Sequence, residues 1–490
     1  MRESGILMHI SSLPGPYGIG TMGKNAYKFV DFLKNAGQKV WQILPLSPTG
    51  FGNSPYQSCS AFAGNHYLID PESLIEKGLL EKQEAESFFW GNDDKKVDYG
   101  ALYENRGKML RLAYSRFEKN EEYEEFVRKN DYWLSEYSLF AAIKESFGGK
   151  PWTEWPRELR LRDKKALEEK AAELKDEISF IYFLQFEFFS QWEKLRSYAN
   201  ENGIKIIGDI PIYVPLDSAD VWAEPEQFLL DEDCKPLRVA GCPPDSFSAD
   251  GQLWGNPIYN WEKMKESGFA WWKRRLGAAK YMYDIVRFDH FRGFESYWSI
   301  PAEDDTAMNG RWEKGPGMDF INAIKTALPE IDFIAEDLGF VTPEVRKLQE
   351  DSGYPGMKVM QFAFDSREEG NYLPHTYPEN SVVYSGTHDN PTLEQWLLDV
   401  AKEDLAEGKA YLGLTEEEGF AEGLIRGSMA SNSRLCVIQM QDYLGLGEEA
   451  RMNTPGILSD KNWSWRAEPG FDSEELGKHI LELTKRFGRI

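Results

Sequence analysis

The chain has 490 residues, and its 81 Asp and Glu outnumber its 56 Lys and Arg, which gives a net charge of −25. Nucleic acids and anionic membrane surfaces repel such a surplus of acids, so both are excluded as expected partners. The length corresponds to two or three average domains. A (β/α)8 barrel with insertions can also account for residues 1–490 as a single catalytic unit.

The cysteines are sparse and lack C-x-x-C spacing; they are Cys59, Cys234, Cys242 and Cys436. This pattern predicts reduced thiols rather than a zinc site or a disulfide scaffold. No apolar run approaches the roughly twenty residues of a membrane span. The first residues also show no signal-peptide pattern. Together these features predict a cytoplasmic protein.

The N-terminal segment reads as strand, helix, strand. Residues 5–10 and 40–46 have the short apolar pattern of strands. Between them Ala26, Phe29, Val30 and Leu33 recur at helical spacing, and Gly37 is placed to end the helix. Such a unit of about forty residues is a βαβ motif with parallel strands, the building block of a barrel.

Two long segments interrupt the alternation of strands and helices. Residues 71–202 are charged and carry helical stripes, which predicts a mainly helical insertion. Residues 215–270 are predicted to form a loop-rich insertion near the active site. Within it, residues 242–257 contain too much Gly and Pro for regular structure and are too long for a simple turn, as is typical of a lid.

The whole pattern predicts eight strands: two before residue 71, and six that begin near Ile204, Tyr283, Ile331, Lys358, Ser381 and Leu435. Eight parallel strands with intervening helices form a (β/α)8 TIM barrel. After the last strand the sequence predicts a loop and a closing helix near 473–487, without a C-terminal β-sandwich. The predicted fold class is therefore α/β, a TIM barrel with inserted, mainly helical subdomains.

The strand near residue 285 ends abruptly in charge. A period of two places Ile285, Arg287 and Asp289 on one side of this strand. An arginine fixed beside an aspartate keeps the carboxylate ionised, as a nucleophile must be. Asp209 lies among apolar residues of the preceding strand and needs a partner, for which Arg287 is the natural candidate. A purely structural ion pair satisfies the same pattern.

Two later strands also lead into acids, Glu336 and Asp389. The C-terminal ends of parallel barrel strands all open on one mouth, so Asp289, Glu336 and Asp389 are expected to meet there. Three converging carboxylates are costly to ionise together, so one of them should hold a proton near neutral pH. A protonated acid beside an ionised one is the pair that glycoside cleavage requires.

At this point the sequence resembles a known family. Residues 286–293, 334–339 and 386–390 are similar to the signature segments of the 4-α-glucanotransferases called amylomaltases or disproportionating enzymes. That family belongs to the α-amylase superfamily of retaining α-glucosidic enzymes. The likeness runs from the loop at 11–15 to the loop at 451–456, and at the three acids it shows no departure.

The resemblance implies sugar-binding roles for several further residues. Tyr56 would stack on the sugar near the cleavage point, and Asp209 would support the site around the cleaved glucose. It also implies donor-side contacts for Gln252 and Trp254. Phe247 would be an acceptor-side aromatic, and Asn453 would bind the sugar through its amide. From the residues alone, Tyr56 and Trp254 could equally be packed loop aromatics, and Asn453 could serve its turn.

The implied activity is a 4-α-glucanotransferase that moves α-1,4-glucan segments by a retaining double displacement. Asp289 would attack to form a covalent glucosyl-enzyme, and Glu336 would act as acid and then base. Asp389 and His388 would bind ring hydroxyls. His388 as a metal ligand is the alternative role, although it shares no ligand spacing with the other histidines, so no metal or cofactor is predicted.

The expected partners are α-1,4-glucans and maltooligosaccharides, to whose neutral chains the acidic surface is indifferent. Two alternatives stay open from the residues: an α-glucan hydrolase, and a catalytically silent glycan-binding barrel. A third, a sugar-phosphate enzyme on the same fold, lacks an evident Gly-rich phosphate loop after the late strands.

Overall fold

The computed structural model describes residues 2–244, 249–339, 341–365 and 372–490. Its strands are β1 (Glu3–Leu7), β2 (Val40–Gln42), β3 (Lys205–Pro211), β4 (Arg238–Cys242), β5 (Gln252–Pro257), β6 (Ile285–Asp289), β7 (Ser296–Pro301), β8 (Arg311–Lys314), β9 (Asp332–Ala335), β10 (Gly356–Val359), β11 (Ser381–Tyr384) and β12 (Leu435–Gln439).

The helices in the first half of the chain are α1 (Lys24–Asn35), α2 (Pro71–Glu76), α3 (Lys82–Glu86), α4 (Tyr99–Ser115), α5 (Glu121–Ser146), α6 (Arg157–Arg160), α7 (Lys164–Glu173), α8 (Lys175–Glu201) and α9 (Ala219–Ala223). Those in the second half are α10 (Trp261–Glu266), α11 (Ala270–Met282), α12 (Gly317–Ala327), α13 (Pro343–Ser352), α14 (Leu393–Asp399), α15 (Lys402–Leu412), α16 (Phe420–Ala430), α17 (Met440–Tyr443) and α18 (Glu474–Arg486).

Eight of the strands form a closed barrel in the order β1, β12, β11, β10, β9, β6, β3, β2, and every pairing in it is parallel. The predicted TIM barrel is therefore confirmed. Since all eight strands run the same way, the loops that follow them gather at one mouth. The barrel strands are almost wholly buried, and they pack on the surrounding helices in one continuous apolar core.

The βαβ prediction at the N-terminus is confirmed. Helix α1 buries Ala26, Phe29, Val30 and Leu33, the stripe read from the sequence. Gly37 follows the end of the helix with a φ of +71°, a left-handed conformation in which a residue with a side chain would be strained. Strand β2 is shorter than expected and ends before Pro45.

The expectation that residues 242–257 lack regular structure is wrong for their C-terminal part. Strand β5 pairs antiparallel with β4, and β7 and β8 complete a four-stranded sheet in the order β5, β4, β7, β8. The register between β4 and β5 shifts between Val239 and Gly241, and Gly255 has a φ of +76°. A strand can contain Gly and Pro when these residues lie at a bulge or at the end of the strand. Strands β7 and β8 were not predicted at all.

Residues 71–202 contain helices α2 to α8 and no strand, although their separation as a subdomain remains a prediction. Helix α8 returns to the barrel, where the indole N–H of Trp192 donates to the carbonyl of Met282 at 3.0 Å. From residue 440 to 490 the chain forms helices and loops without a strand. No helix in the described ranges is both long and apolar enough to cross a membrane.

Candidate active site

A buried arginine joins two carboxylates at the barrel mouth. Nη1 of Arg287 donates to both oxygens of Asp209, at 2.8 and 2.7 Å, and to Oδ1 of Asp289 at 3.0 Å. Asp209 and Arg287 face each other because they are register partners on β3 and β6. The side chain of Asp209 is 0 % exposed and that of Arg287 4 %, so the cation neutralises an acid that burial would otherwise penalise.

Asp289 ends β6, and Glu336 follows the neighbouring strand β9 at the same level. Phe288 of β6 pairs with Ala335 of β9, and the backbone N–H of Glu336 donates to the carbonyl of Phe288 at 3.1 Å. Neighbouring strands lie about 4.8 Å apart. The register therefore brings the two carboxyl groups to one side of the mouth.

The environments of these two acids favour different protonation. Burial raises the pKa of Glu336 to about 7, and the nearby Asp289 adds to the rise. Burial by the walls of the mouth also raises the pKa of Asp289, to about 6, although Arg287 opposes the rise and 31 % of the side chain is open to solvent. Arg287 was expected to keep Asp289 ionised. Arg287 does lower the pKa of Asp289, but burial outweighs this effect. Both pKa values are raised and that of Glu336 more so, which makes Glu336 the group of the pair that keeps a proton near neutral pH.

Backbone amides fix the orientation of Glu336. The N–H of His290 donates to Oε2 at 2.7 Å and that of Leu338 donates to Oε1 at 2.9 Å. His290 adopts a left-handed backbone with a φ of +57°, a conformation that histidine tolerates better than most residues. Its imidazole is half-buried, and desolvation lowers its pKa to about 3, so the ring is neutral.

Asp389 lies beyond β11 and is held by an amide. Nδ2 of Asn453 donates to its Oδ1 at 2.6 Å, and Nε2 of His388 is 3.5 Å from the same oxygen. Arg451 donates from Nη2 to the backbone carbonyl of Asp389 at 2.8 Å. The Asp389 side chain is 45 % exposed, so it can meet a ligand that enters the mouth.

An aromatic cluster links Asp389 to Asp209. The rings of Tyr56 and His388 stack with centroids 4.9 Å apart and planes inclined by 14°. The Tyr56 hydroxyl donates to Oδ2 of Asp209 at 2.8 Å. Through His388, Tyr56 and Asp209, a continuous series of contacts therefore runs from Asp389 to Arg287.

Trp254 and Gln252 lie on β5 at the other side of the mouth. The Trp254 ring meets the His290 ring edge to face with centroids 4.8 Å apart, and its indole N–H donates to Oε1 of Gln252 at 3.1 Å. Strand β5 therefore brings Trp254 next to the residue that holds Glu336, with Gln252 bonded to Trp254. Phe247, the predicted acceptor-side aromatic, lies outside the described residues.

Sequence reasoning did not select three residues that the structure places at the mouth: His9, His290 and Trp463. Nδ1 of buried His9 accepts the N–H of Leu44 at 3.2 Å, and burial together with nearby His388 lowers its pKa to about 3. His9 lies near the C-terminal end of the first predicted strand, residues 5–10, and this place was a signal. Within the described ranges, no group of three or more His, Cys, Asp or Glu side chains could hold a metal ion.

An eight-stranded parallel barrel whose mouth carries two adjacent carboxyl groups with raised pKa values is typical of an enzyme. Comparison with known proteins identifies the family of enzymes to which the chain belongs. The family model described as 4-alpha-glucanotransferase matches residues 8–472. The chain belongs to this family and is a transferase.

Relatives match along the full chain. A 4-alpha-glucanotransferase of Clostridium butyricum is 49% identical over 486 residues, which cover 98% of this chain and 100% of that protein. One from Thermus thermophilus is 47% identical over 502 residues, covering 100% and 99%. Among solved structures, an amylomaltase of Streptococcus agalactiae in complex with acarbose is 42% identical, with a TM-score of 0.97 and coverage of 100% of both chains.

Proposed function

We propose that the chain transfers α-1,4-glucan segments from a donor glucan to the 4-hydroxyl of an acceptor glucan or glucose, with Asp289 as nucleophile and Glu336 as acid and base. The observation that carries this assignment is the unequal pair at the mouth: a carboxylate beside Arg287, and a carboxyl group whose pKa burial raises to about 7. Retaining glycosidic enzymes require such a pair.

In the first step Asp289 attacks the anomeric carbon of the donor. Arg287 engages Oδ1, which leaves Oδ2 as the attacking oxygen. The bond between the anomeric carbon and the leaving oxygen breaks, and the proton of Glu336 moves to that oxygen. The products are a covalent glucosyl-Asp289 ester, a shortened sugar and an ionised Glu336.

In the second step the 4-hydroxyl of the acceptor attacks the same carbon. Glu336 takes the hydroxyl proton, the ester bond breaks, and Asp289 leaves as a carboxylate. Two inversions at one carbon retain its α configuration. Glu336 serves both steps because its raised pKa lies near neutral pH.

The remaining polar residues are proposed to bind the sugar. Asp389, held by Asn453 and adjacent to His388, would accept hydrogen bonds from hydroxyl groups of the cleaved glucose. Tyr56 would offer its ring as a platform, and Asp209 would hold Tyr56 and Arg287. On the donor side the proposal assigns contacts to Gln252 and Trp254.

Maltooligosaccharides and longer α-1,4-glucans are the proposed substrates, in the cytoplasm. A relative with the same fold was solved in complex with acarbose, which supports a sugar-like ligand in this mouth. The excess of acidic residues places no obstacle before a neutral glucan.

Incubation of the enzyme with maltotriose alone tests the proposal. A transferase yields glucose together with oligomers longer than maltotriose, whereas a hydrolase yields only shorter sugars. Asp289→Asn removes the nucleophile and should lower the rate by at least about 10⁴-fold, in line with the loss of a covalent nucleophile. Wild-type rates in this variant, with an unchanged far-UV spectrum, would refute the assignment of Asp289.

A further inference from the structure

Trp463 packs against both rings of the Tyr56 and His388 stack. Its ring centroid is 5.7 Å from that of Tyr56 and 5.9 Å from that of His388, with interplanar angles of 41° and 39°. Trp463 as a whole is only 7 % exposed. A sugar platform needs an open ring face, so Trp463 meets the stacked pair rather than the ligand.

The backbone of Trp463 is held in a conformation that bulky residues avoid. Its φ is +64°, in the left-handed region, which is a genuine outlier for a tryptophan. Two anchors fix this geometry: its N–H donates to the carbonyl of Met452 at 2.7 Å, and its own carbonyl accepts the hydroxyl of Tyr99 at 2.9 Å. Strained conformations persist where surrounding structure imposes them, and they cluster at functional sites.

One anchor lies at the mouth and the other joins it to a distant part of the chain. Met452 precedes Asn453, the residue that holds Asp389. Tyr99 begins helix α4, and the neighbouring Val97 donates from its N–H to the carbonyl of Ser464 at 2.7 Å. The segment that carries Trp463 is therefore fixed from the helical region on one side and from the loop of Met452 and Asn453 on the other.

We infer that Trp463 is a positioning residue for the reaction: its ring sets the orientation of Tyr56 and His388, the two rings that the proposed function places beside the cleaved glucose. This inference rests on the proposed function. Tyr56 also donates to Asp209, which pairs with Arg287. A ring pair free to turn would present its groups to the substrate at the wrong angle and would loosen that hydrogen bond.

Replacement of the ring should change turnover more than substrate binding. Trp463→Ala is expected to lower kcat by about 10- to 100-fold with KM within about threefold of wild type, because small misplacement of positioning groups costs turnover. Trp463→Phe keeps an aromatic ring there and should stay within about threefold of wild type. The assay is disproportionation of maltotriose over a range of pH.

The pH profile separates positioning from general loosening of the site. The ring contacts of Trp463 lie with Tyr56 and His388, so the pH limits of activity should be unchanged while the maximum falls. If the substitution merely admitted water, the burial that raises the pKa of Glu336 would weaken, and activity would be lost at a lower pH on the alkaline side. That shift, or a wild-type kcat in Trp463→Ala, overturns the inference.

Two further variants keep the test decisive if Trp463→Ala is poorly folded. Trp463→Gly removes the ring and also the backbone strain, since glycine accepts a positive φ. It should be as slow as Trp463→Ala yet melt at a higher temperature, which separates activity from stability. Tyr99→Phe removes only the distant anchor and should lower kcat by about threefold, with KM unchanged.

Trp465→Phe is the matched control. Trp465 is buried in the same segment, and its substitution should leave kcat at the wild-type level. The inference also fails separately from the proposed function. If the wild-type enzyme makes no longer oligomers from maltotriose, the proposed function is wrong. If it makes them and Trp463→Ala and Tyr99→Phe do so at the same rate, only the role of Trp463 is wrong.

Discussion

The backbone N–H of His290 donates a 2.7 Å hydrogen bond to Oε2 of Glu336, so the residue that follows Asp289 holds the carboxyl group of the adjacent strand. Strands β6 and β9 are thereby joined beyond their last paired residues, Phe288 and Ala335. This bond stabilises the ionised form of Glu336, yet burial outweighs it and raises the pKa to about 7. One short turn thus orients Glu336 without preventing it from holding a proton.

The first prediction is a bell-shaped dependence of kcat/KM on pH. Below about pH 6 Asp289 becomes protonated and loses its nucleophilic form, so activity should fall on the acid side. Above about pH 7 Glu336 loses the proton that the leaving oxygen needs, so activity should fall on the alkaline side. Initial rates with maltotriose at low concentration measure this profile. Constant activity from pH 5 to pH 9 would contradict the assignment of both groups.

The second prediction separates the two acids by the choice of leaving group. Fluoride departs without a proton, so Glu336→Ala should release a burst of about one equivalent of fluoride from α-maltosyl fluoride, within about tenfold of the wild-type rate of the first step. The same variant should lose about 10³-fold in activity on maltotriose, whose leaving oxygen requires the acid. Asp289→Ala should lose activity on both donors.

The covalent intermediate gives that experiment a second readout. With the fluoride donor, Glu336→Ala forms the ester but cannot activate the acceptor, so mass spectrometry should detect a maltosyl adduct on the peptide that contains Asp289. An adduct on a different residue would move the nucleophile elsewhere. If Glu336→Ala lost activity equally on both donors, Glu336 would not be the acid.

The sequence predicted the barrel and the gathering of the three acids because both follow from local patterns. Short apolar runs identified the eight strands, and each acid stands at the end of one of them. The pairing of Asp209 with Arg287 was also predictable, since a buried acid requires a partner and a strand period of two offered one. Together with the parallel topology of the strands, these local patterns were enough to predict where the residues lie.

Other features depend on contacts that no local pattern contains. Strand β7 pairs with β4 and β8 pairs with β7, and the position of β4 in this sheet is fixed by tertiary structure. The raised pKa of Asp289 follows from burial by surrounding walls, which outweighs the cation two residues before it. The left-handed backbone of Trp463 likewise depends on two hydrogen bonds. One joins it to Tyr99, which is remote in sequence, and the other to Met452, which lies in another turn.

The third prediction concerns the buried ion pair of Arg287 and Asp209. Arg287→Met leaves Asp209 buried without its cation, and removing one partner of such a pair costs about 3–5 kcal/mol of unfolding free energy. The double variant Arg287→Met/Asp209→Asn removes both charges and should recover most of that loss. Urea denaturation followed by tryptophan fluorescence measures both values.

Activity should not recover in the double variant, because Asp289 still lacks its cation. Without Arg287, which lowers the pKa of Asp289, that pKa should rise, and the acid side of the pH profile should move to higher pH. A double variant as active as wild type would show that the pair is structural only. Recovery of stability without activity is the outcome that we expect.

The fourth prediction tests the amide beside Asp389. Asn453→Asp replaces a donor 2.6 Å from Oδ1 of Asp389 with a second carboxyl group, so the two can remain in contact only if they share a proton. Activity on maltotriose should fall by about tenfold more at pH 8 than at pH 5.5, since like charges raise the pKa of the pair. Asn453→Ala, which removes the donor without adding charge, should lose activity equally at both pH values. An Asn453→Asp profile parallel to that of the alanine variant would contradict a direct contact.

The last prediction concerns stability and rests on Asp442, a buried acid behind the mouth. Its Oδ2 accepts the hydroxyl of Ser385 at 2.6 Å, and its Oδ1 accepts the N–H of Leu393 at 2.7 Å. Burial raises its pKa to about 7, well above the value of an exposed aspartate. The folded protein therefore binds a proton that the unfolded chain has released, in the range from about pH 4 to pH 7.

Folding stability should consequently decrease as pH rises through that range, by at most about 1.4 kcal/mol per pH unit from this group. Asp442→Asn removes the titration while its amide oxygen can still accept from Leu393, so its stability should vary less with pH and overtake that of wild type on the alkaline side. Near pH 4.5 it should be less stable by about 1 kcal/mol, because Ser385 loses its acceptor. Ser385→Ala removes a bond that favours the ionised form, so it should extend the decrease to higher pH. Urea midpoints from pH 4.5 to pH 8.5 measure all three proteins, and parallel curves for wild type and Asp442→Asn would show that Asp442 does not titrate in the folded protein.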